Sequence, residues 1–250
     1  MSGHSKWATI KRKKGAADAK RGQLFTKIGR ELTMAARSGG GDPEANINLR
    51  MIVQKARASN MPKDNIERAI KRGTGELEGA TLEEAMYEAY GPHGSALMIK
   101  ALTDNRNRTV AEIRATLSRH GGRMAEAGAV GWMFDHKGVL SVDPKGKDPD
   151  ELALEIIDLG ADDVKVDNRL LEVYTLPADL HKLQQALEQK RIAYDSAELE
   201  MVPKNPLELA PSEAAATVKL IEILEEIDDV QQVYTNVDIT EEAIQQLETA

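Results

Sequence analysis

The segment Gly3-His4-Ser5-Lys6-Trp7-Ala8-Thr9-Ile10-Lys11-Arg12-Lys13-Lys14 joins a run of point charges to a single indole. Lysine and arginine neutralise phosphates and release counterions, and an indole can stack on an unpaired base. Lys6, Trp7, Lys11, Arg12, Lys13 and Lys14 are therefore candidate nucleic-acid contacts. Lys20, Arg21, Lys27, Arg30 and Arg37 carry the basic character onward, and Arg68 and Arg72 resume it. A second candidate is Thr103-Asp104-Asn105-Arg106-Asn107-Arg108-Thr109, where a strand gives way to a helix. Asn105, Arg106, Asn107 and Arg108 would lie beside backbone amides that favour anions, a setting for a phosphate or an RNA turn. The competing reading is structural: Asp104 and the asparagines make the turn, Thr109 caps the helix, and the arginines pair with nearby acids.

These residues sit within an uneven charge distribution. Through Gly75 the chain carries 17 basic and 6 acidic residues, whereas residues 76–250 carry 16 and 35. A net of +11 next to a net of −19 describes a module that seeks a polyanion, attached to a body that does not. The absence of cysteine excludes disulfides, thiolate nucleophiles and cysteine-held metals, and suits a reducing, cytoplasmic setting. No apolar stretch reaches membrane-spanning length, so no membrane partner is expected.

Catalytic patterns are missing. His4, His93, His120, His136 and His181 are scattered without metal-ligand spacing, and no phosphate-binding glycine loop or nucleophile elbow is present. The acidic pairs Glu83-Glu84, Asp162-Asp163, Glu225-Glu226 and Asp228-Asp229 read as solvated helix faces or ends, or as a docking surface for a basic partner. The expectation is a protein without catalytic residues, metal, cofactor or small-molecule substrate.

The elements that must position the basic residues follow from periodicity. A helix from about Asp18 buries Leu24, Phe25, Ile28, Leu32 and Ala35 and stops at Gly39-Gly40-Gly41. Asp42-Pro43 starts a helix over 43–59 that buries Leu49, Ile52, Val53 and Ala56. A third, short helix after Met61-Pro62 buries Ile66, Ala69 and Ile70 and closes at Gly73. Three helices with short connections make a small bundle with a basic exterior.

Beyond a glycine-rich linker the period changes. Glu84–Tyr90 and Ser95–Thr103 read as strands joined by Gly91-Pro92-His93-Gly94, a tight turn in preference to an anion nest. Thr109 and Glu112 form a capping box for a helix running to His120. Ala129–Phe134 then returns as a strand, giving β-α-β over residues 95–134. From Gly138 the order strand, helix, hairpin around Asn168, helix, strand gives the split βαβ, or ferredoxin-like, plan. A helix near 212–228 and a strand at 231–239 would return to complete the earlier unit. The expected fold is therefore α+β and multidomain: an N-terminal three-helix bundle with a basic arm, and two ferredoxin-like α/β domains, one inserted in the other. Its boundaries are 1–77, 78–134 with 204–250, and 135–203. The strand near 198–203 can belong to either α/β domain.

GHSKWATIKRKK, DAKRGQLFTKIGREL, GGGDPEANINLR, NMPKDNIERAIKRG, YEAYGPHG, TDNRNRTVAEIR and DDVQQVYTNVDI, in this order, resemble the YebC/PmpR family, which includes the mitochondrial translational activator of cytochrome c oxidase subunit I. The resemblance covers essentially the whole chain and implies an N-terminal helical domain followed by two interlocked α/β domains. Two places depart from the usual pattern: Asn46-Ile47-Asn48 and Arg123-Met124-Ala125-Glu126. Bacterial members are described as probable transcriptional regulators that bind DNA. The mitochondrial relative points instead to ribosome-associated translation factors that bind ribosomal RNA and help with stalling sequences such as proline runs. The resemblance attaches no enzyme activity. A third reading is a protein–protein adaptor working through its acidic α/β domains.

Overall fold

A computed structural model of the chain describes residues 18–79, 81–167 and 170–249. The first elements are α1 (Asp18–Gly39), α2 (Ile47–Ala58), α3 (Lys63–Thr74), β1 (Glu83–Tyr90), β2 (Ala96–Thr103), α4 (Arg106–Arg119) and β3 (Arg123–Met124). There follow β4 (Phe134–Val142), α5 (Pro149–Asp158), β5 (Asp163–Asp167), β6 (Leu170–Thr175), α6 (Leu180–Gln189) and β7 (Ser196–Pro203). The chain returns through α7 (Pro211–Glu225), β8 (Val230–Thr235) and α8 (Glu241–Thr249). The fold is α+β and multidomain, with a helical N-terminal region and two four-stranded antiparallel sheets.

The helical core contains Ile28, Leu32, Leu49, Val53, Ala56 and Ile66, as the apolar spacing predicts. Leu24, expected inside, is exposed. The second helix starts four residues later than the Asp42-Pro43 signal suggests. Asp42 accepts from the Glu44 amide at 2.9 Å and closes a turn. The buried Asn46 is the actual cap: its Oδ1 accepts from Leu49 N at 3.1 Å. Its Nδ2 donates to the carbonyls of Ala35 and Gly40 at 2.8 Å each, so one amide serves the end of α1 and the start of α2. Gly73 does not close α3. A Cβ there would lie 2.4 Å from the Thr33 carbonyl oxygen, so its role is to let α3 touch α1. Gly75, at φ +81°, ends the helix one residue beyond Thr74.

The first sheet has the order β3-β1-β2-β8. It opens on the β1–β2 hairpin, and α4 and α7 cover one face through Ile113, Leu117, Val218, Ile221 and Leu224. α8, which the sequence reading did not anticipate, adds Ala243 and Ile244 to that core. Residues 129–134, expected as a strand completing β-α-β, form a 3-10 turn at Gly131–Met133 instead. Their backbone amides are taken by a side chain: Glu88 accepts from Gly128, Val130 and Gly131 at 2.6, 2.7 and 2.8 Å. Amides engaged in this way are lost to a strand ladder. The α4 crossover therefore returns only as the two-residue β3, paired with β1.

The second sheet has the order β5-β6-β4-β7, with α5 and α6 over one face, which is the ferredoxin-like order. Asp148 caps α5 as expected, accepting from Asp150 N at 3.0 Å and Glu151 N at 3.1 Å. The strand near 198–203 pairs along β4 and so belongs to this sheet. Phe134 at the start of β4 pairs with Pro203 at the end of β7, so the segment enters and leaves side by side. The helical bundle rests on both sheets: Met51 packs against the second core and Lys55 lies 3.8 Å from Glu198, while Arg30 donates to the Leu102 carbonyl of the first sheet.

Candidate nucleic-acid interface

Two chemically different sets emerge among the basic residues. Lys27, Arg30 and Arg37 on α1 make contacts within the protein. Arg30 NH1 donates to Asp229 Oδ1 at 2.7 Å and to the Leu102 carbonyl at 3.2 Å. Lys27 and Gln23, one and two turns earlier, donate to the Glu225 and Glu226 carbonyls at the C-terminal end of α7. That helix end has orphan carbonyls and a partial negative charge, so a cation and an amide there satisfy both. Arg37 NH1 donates to the Leu82 carbonyl at 3.2 Å, at the entry to β1. Lys27, Arg30 and Arg37, read from sequence as binding residues, therefore dock the bundle onto the first sheet.

Asp229 is the centre of this contact. Read from sequence as part of a solvated acidic pair, its side chain is only 3% exposed. Its carboxylate accepts from Arg30, from Arg108 at 2.7 Å, from Thr109 Oγ1 at 2.7 Å and from Thr103 Oγ1 at 3.2 Å. Burial alone would raise its pKa. The hydrogen bonds from Arg108 and Thr109 and the charge of Arg30 outweigh that and hold it below the usual carboxylate value. The same contacts push the Arg108 guanidinium further toward its charged form.

The loop from Thr103 to Thr109 is consequently built around an internal acid. Thr109 is fully buried one turn inside α4, so the expected Thr109–Glu112 capping box is not formed. Asn105 is the cap, its Oδ1 accepting from Arg108 N at 3.1 Å. Arg106 pairs with Glu83 at 2.8 Å, and Arg108 bonds Asp104 at 2.8 Å besides Asp229. Asn107 is exposed. An open cavity of about 320 Å³ is lined here by Glu83, Thr103, Asp104, Asn105, Arg106 and Asn107. Its two carboxylates are matched by the arginines that pair with them.

The second set lies on α3. Arg68 and Arg72 are exposed one turn apart, with Lys71 between them, and have no carboxylate partner among the described residues. The Arg72 stem packs 3.5 Å from where a Cβ would stand on Gly79, which steadies it without using its charge. Lys71 was not singled out from sequence, although its i+3 spacing from Arg68 marks it. Arg21 is exposed in the first turns of α1. Lys6, Trp7, Lys11, Arg12, Lys13, Lys14 and the side chain of Lys20 lie outside the described residues.

Among the described residues, no group of three or more His, Asp or Glu side chains could hold a metal ion. No described helix is long and apolar enough to cross a membrane. The Gly91-Pro92-His93-Gly94 tract is a turn: Gly91 N donates to Ser95 O at 2.8 Å, and His93 adopts φ +57°.

This arrangement coincides with known sequence families. Residues 5–76 match the TACO1/YebC protein N-terminal domain, and residues 82–237 match the TACO1/YebC second and third domain. The chain belongs to the TACO1/YebC family. A probable transcriptional regulatory protein of Dehalococcoides mccartyi is 54% identical over 245 residues, 98% of each chain. One from Moorella thermoacetica is 53% identical over 251 residues, covering 99% of this chain and all of the relative. The crystal structure of a conserved hypothetical protein from Aquifex aeolicus superposes with a TM-score of 0.81 at 42% identity, over 90% of this chain and 93% of that one. Family membership thus extends over the bundle and both sheets.

Proposed function

We propose that the protein is a nucleic-acid-binding regulator of gene expression, acting on DNA as a transcriptional regulator and performing no catalytic step. Residues 1–77 form the binding domain in this reading. Residues 78–134 with 204–250, and the inserted 135–203, form two domains that hold it in place. The observation that carries the reading is the division of cations: Lys27, Arg30 and Arg108 are engaged internally, while Arg68, Lys71 and Arg72 stand exposed on one helix. The names of the relatives, probable transcriptional regulatory proteins, agree with it. The basic arm before Asp18 adds its charge to the same domain.

A second reading, binding to ribosomal RNA during translation, is favoured by the acidic body. Residues 76–250 carry a net −19, and the bundle rests directly against them. A long duplex crossing the bundle would run along that negative surface, whereas a folded RNA among basic proteins would not.

The test measures duplex affinity against salt for the full chain and for a variant carrying Arg68→Glu and Arg72→Glu. Loss of two phosphate contacts should lower the slope of log K against log salt by about 2. An unchanged slope and affinity would overturn the assignment of α3. Sedimentation with ribosomes at low salt separates the two readings: co-sedimentation that survives competitor duplex favours RNA, and promoter protection without co-sedimentation favours DNA.

A further inference from the structure

The face of the first sheet that α4 and α7 leave open carries Met86, Glu88 and Tyr90 at alternate positions of β1. The loop after β3 lies over this strip, with Val130 and Phe134 buried beneath it. Glu88 holds the loop through the three amides at 128, 130 and 131. The fit is close, since a Cβ on Gly131 would lie 3.3 Å from the Glu88 carboxylate, and Gly128 takes φ +85°. At the head of this held loop stands Trp132, which is 64% exposed. Its Nε1 donates to Ala129 O at 3.1 Å, so the polar edge of the indole is satisfied within the loop and a ring face is left to solvent. Two positions along β1 from Glu88, Tyr90 packs against the same cluster as Val130, and the Arg123 guanidinium stacks over its ring at 4.9 Å with no carboxylate partner among the described residues.

An exposed tryptophan is ordinarily a liability, and a flexible one would lose entropy on binding anything. Here the ring is oriented beforehand by its own bond to Ala129 O, in a loop that Glu88 holds through Val130 N and Gly131 N. An oriented, exposed indole and an arginine stacked on an aromatic ring without a carboxylate partner are parts from which single-strand platforms are made: aromatic faces take bases, and the cation takes the backbone. A duplex offers no free base face, so the geometry discriminates between strand forms.

We infer that Trp132, with Arg123 and Tyr90, forms a second nucleic-acid contact on the first sheet, one that takes an unpaired nucleotide and is separate from the phosphate-binding α3. The inference goes beyond the proposed function, and the two can fail independently.

The chain contains two tryptophans, Trp7 and Trp132, so Trp7→Phe leaves Trp132 as the sole indole. This full-length variant is titrated with a short oligothymidylate and with a duplex of similar length, reading indole emission together with the anisotropy of a label on the nucleic acid. The single strand should quench the emission at saturation, and the duplex should not. Adding Trp132→Ala should weaken single-strand binding by about five- to a hundredfold, on the scale of one stacked base. Arg123→Glu should weaken it as well, with melting temperatures of both variants close to that of the parent. Single-strand binding with unchanged emission would overturn this inference, leave the α3 reading standing and direct Trp132 to a protein partner. Equal quenching by the duplex would overturn the claim for unpaired bases. No binding of either strand form would overturn both readings.

Discussion

Replacing Asp229 by asparagine keeps the shape of the side chain and removes its charge, so it isolates what the carboxylate does. Oδ2 accepts from Arg108, Thr109 and Thr103, and Oδ1 accepts from Arg30 and, at 3.1 Å, from Arg108. An amide can present only one oxygen. If that oxygen faces the threonines and Arg108, the new NH2 faces the Arg30 guanidinium, donor against donor. Removing one partner of a buried ion pair typically costs about 3–5 kcal/mol. Here Arg30 remains 21% exposed and keeps its bonds to the Asp228 and Leu102 carbonyls, so water and backbone recover part of the loss. A destabilisation of about 2–3 kcal/mol follows for Asp229→Asn. For a chain of this size that corresponds to a fall in Tm of roughly 4–12 °C, read by circular dichroism. Arg30→Met, alone and combined, completes a double-mutant cycle, and the coupling between the two sites should reach about 1 kcal/mol or more. A fall below about 2 °C, or additive losses, would refute the assignment of Asp229 as the clamp between bundle and sheet.

Acid should release the same clamp. Asp229 and Glu88 both have folded pKa values held below their ordinary 3.8 and 4.5, burial opposing and hydrogen bonds prevailing. Their stabilisation is therefore complete above those values and is lost as pH falls through the lower, folded ones. Unfolding of the parent should steepen below about pH 4, and Asp229→Asn should flatten the profile there; parallel profiles would contradict this. Gly73→Ala should loosen the bundle by about 1–3 kcal/mol despite the better helix propensity of alanine, because its Cβ meets a backbone oxygen. Urea unfolding monitored at 222 nm measures it, and a stabilised variant would show that α3 does not approach α1 this closely.

The helices of the bundle were legible because each has an apolar stripe whose spacing survives without its neighbours: Ile28 and Leu32, Leu49 and Val53, Ile66 and Ala69 are all in the core. The ferredoxin-like sheet was legible for a similar reason, each helix start and hairpin carrying its own local chemistry, as at Asp148. What failed was local chemistry overruled from a distance. Thr109 has the sequence of a cap, but a carboxylate 120 residues away claims its hydroxyl. Residues 129–134 have the composition of a strand, but Glu88, some forty residues earlier, takes the amides a ladder would need. Asp42-Pro43 has the form of a helix start, but Asn46 is better placed because it can also reach the end of α1. In each case the deciding partner is remote in sequence, and no window of periodicity contains it.

The basic character of the first seventy-five residues consequently has two physical uses. A cation facing the C-terminal end of α7 or the buried Asp229 is already neutralised, and a phosphate there would have to displace a carboxylate or a carbonyl that is held in place. Arg68, Lys71 and Arg72 on α3 are exposed and have no carboxylate among the described residues to displace. Counting charge along the sequence treats these alike, yet only the second kind contributes counterion release on binding. The salt slope should therefore be smaller than the full complement of lysines and arginines suggests. The α1 cations should instead appear in stability: Arg30 holds the bundle against the sheet, and that contact fixes the direction in which α3 faces.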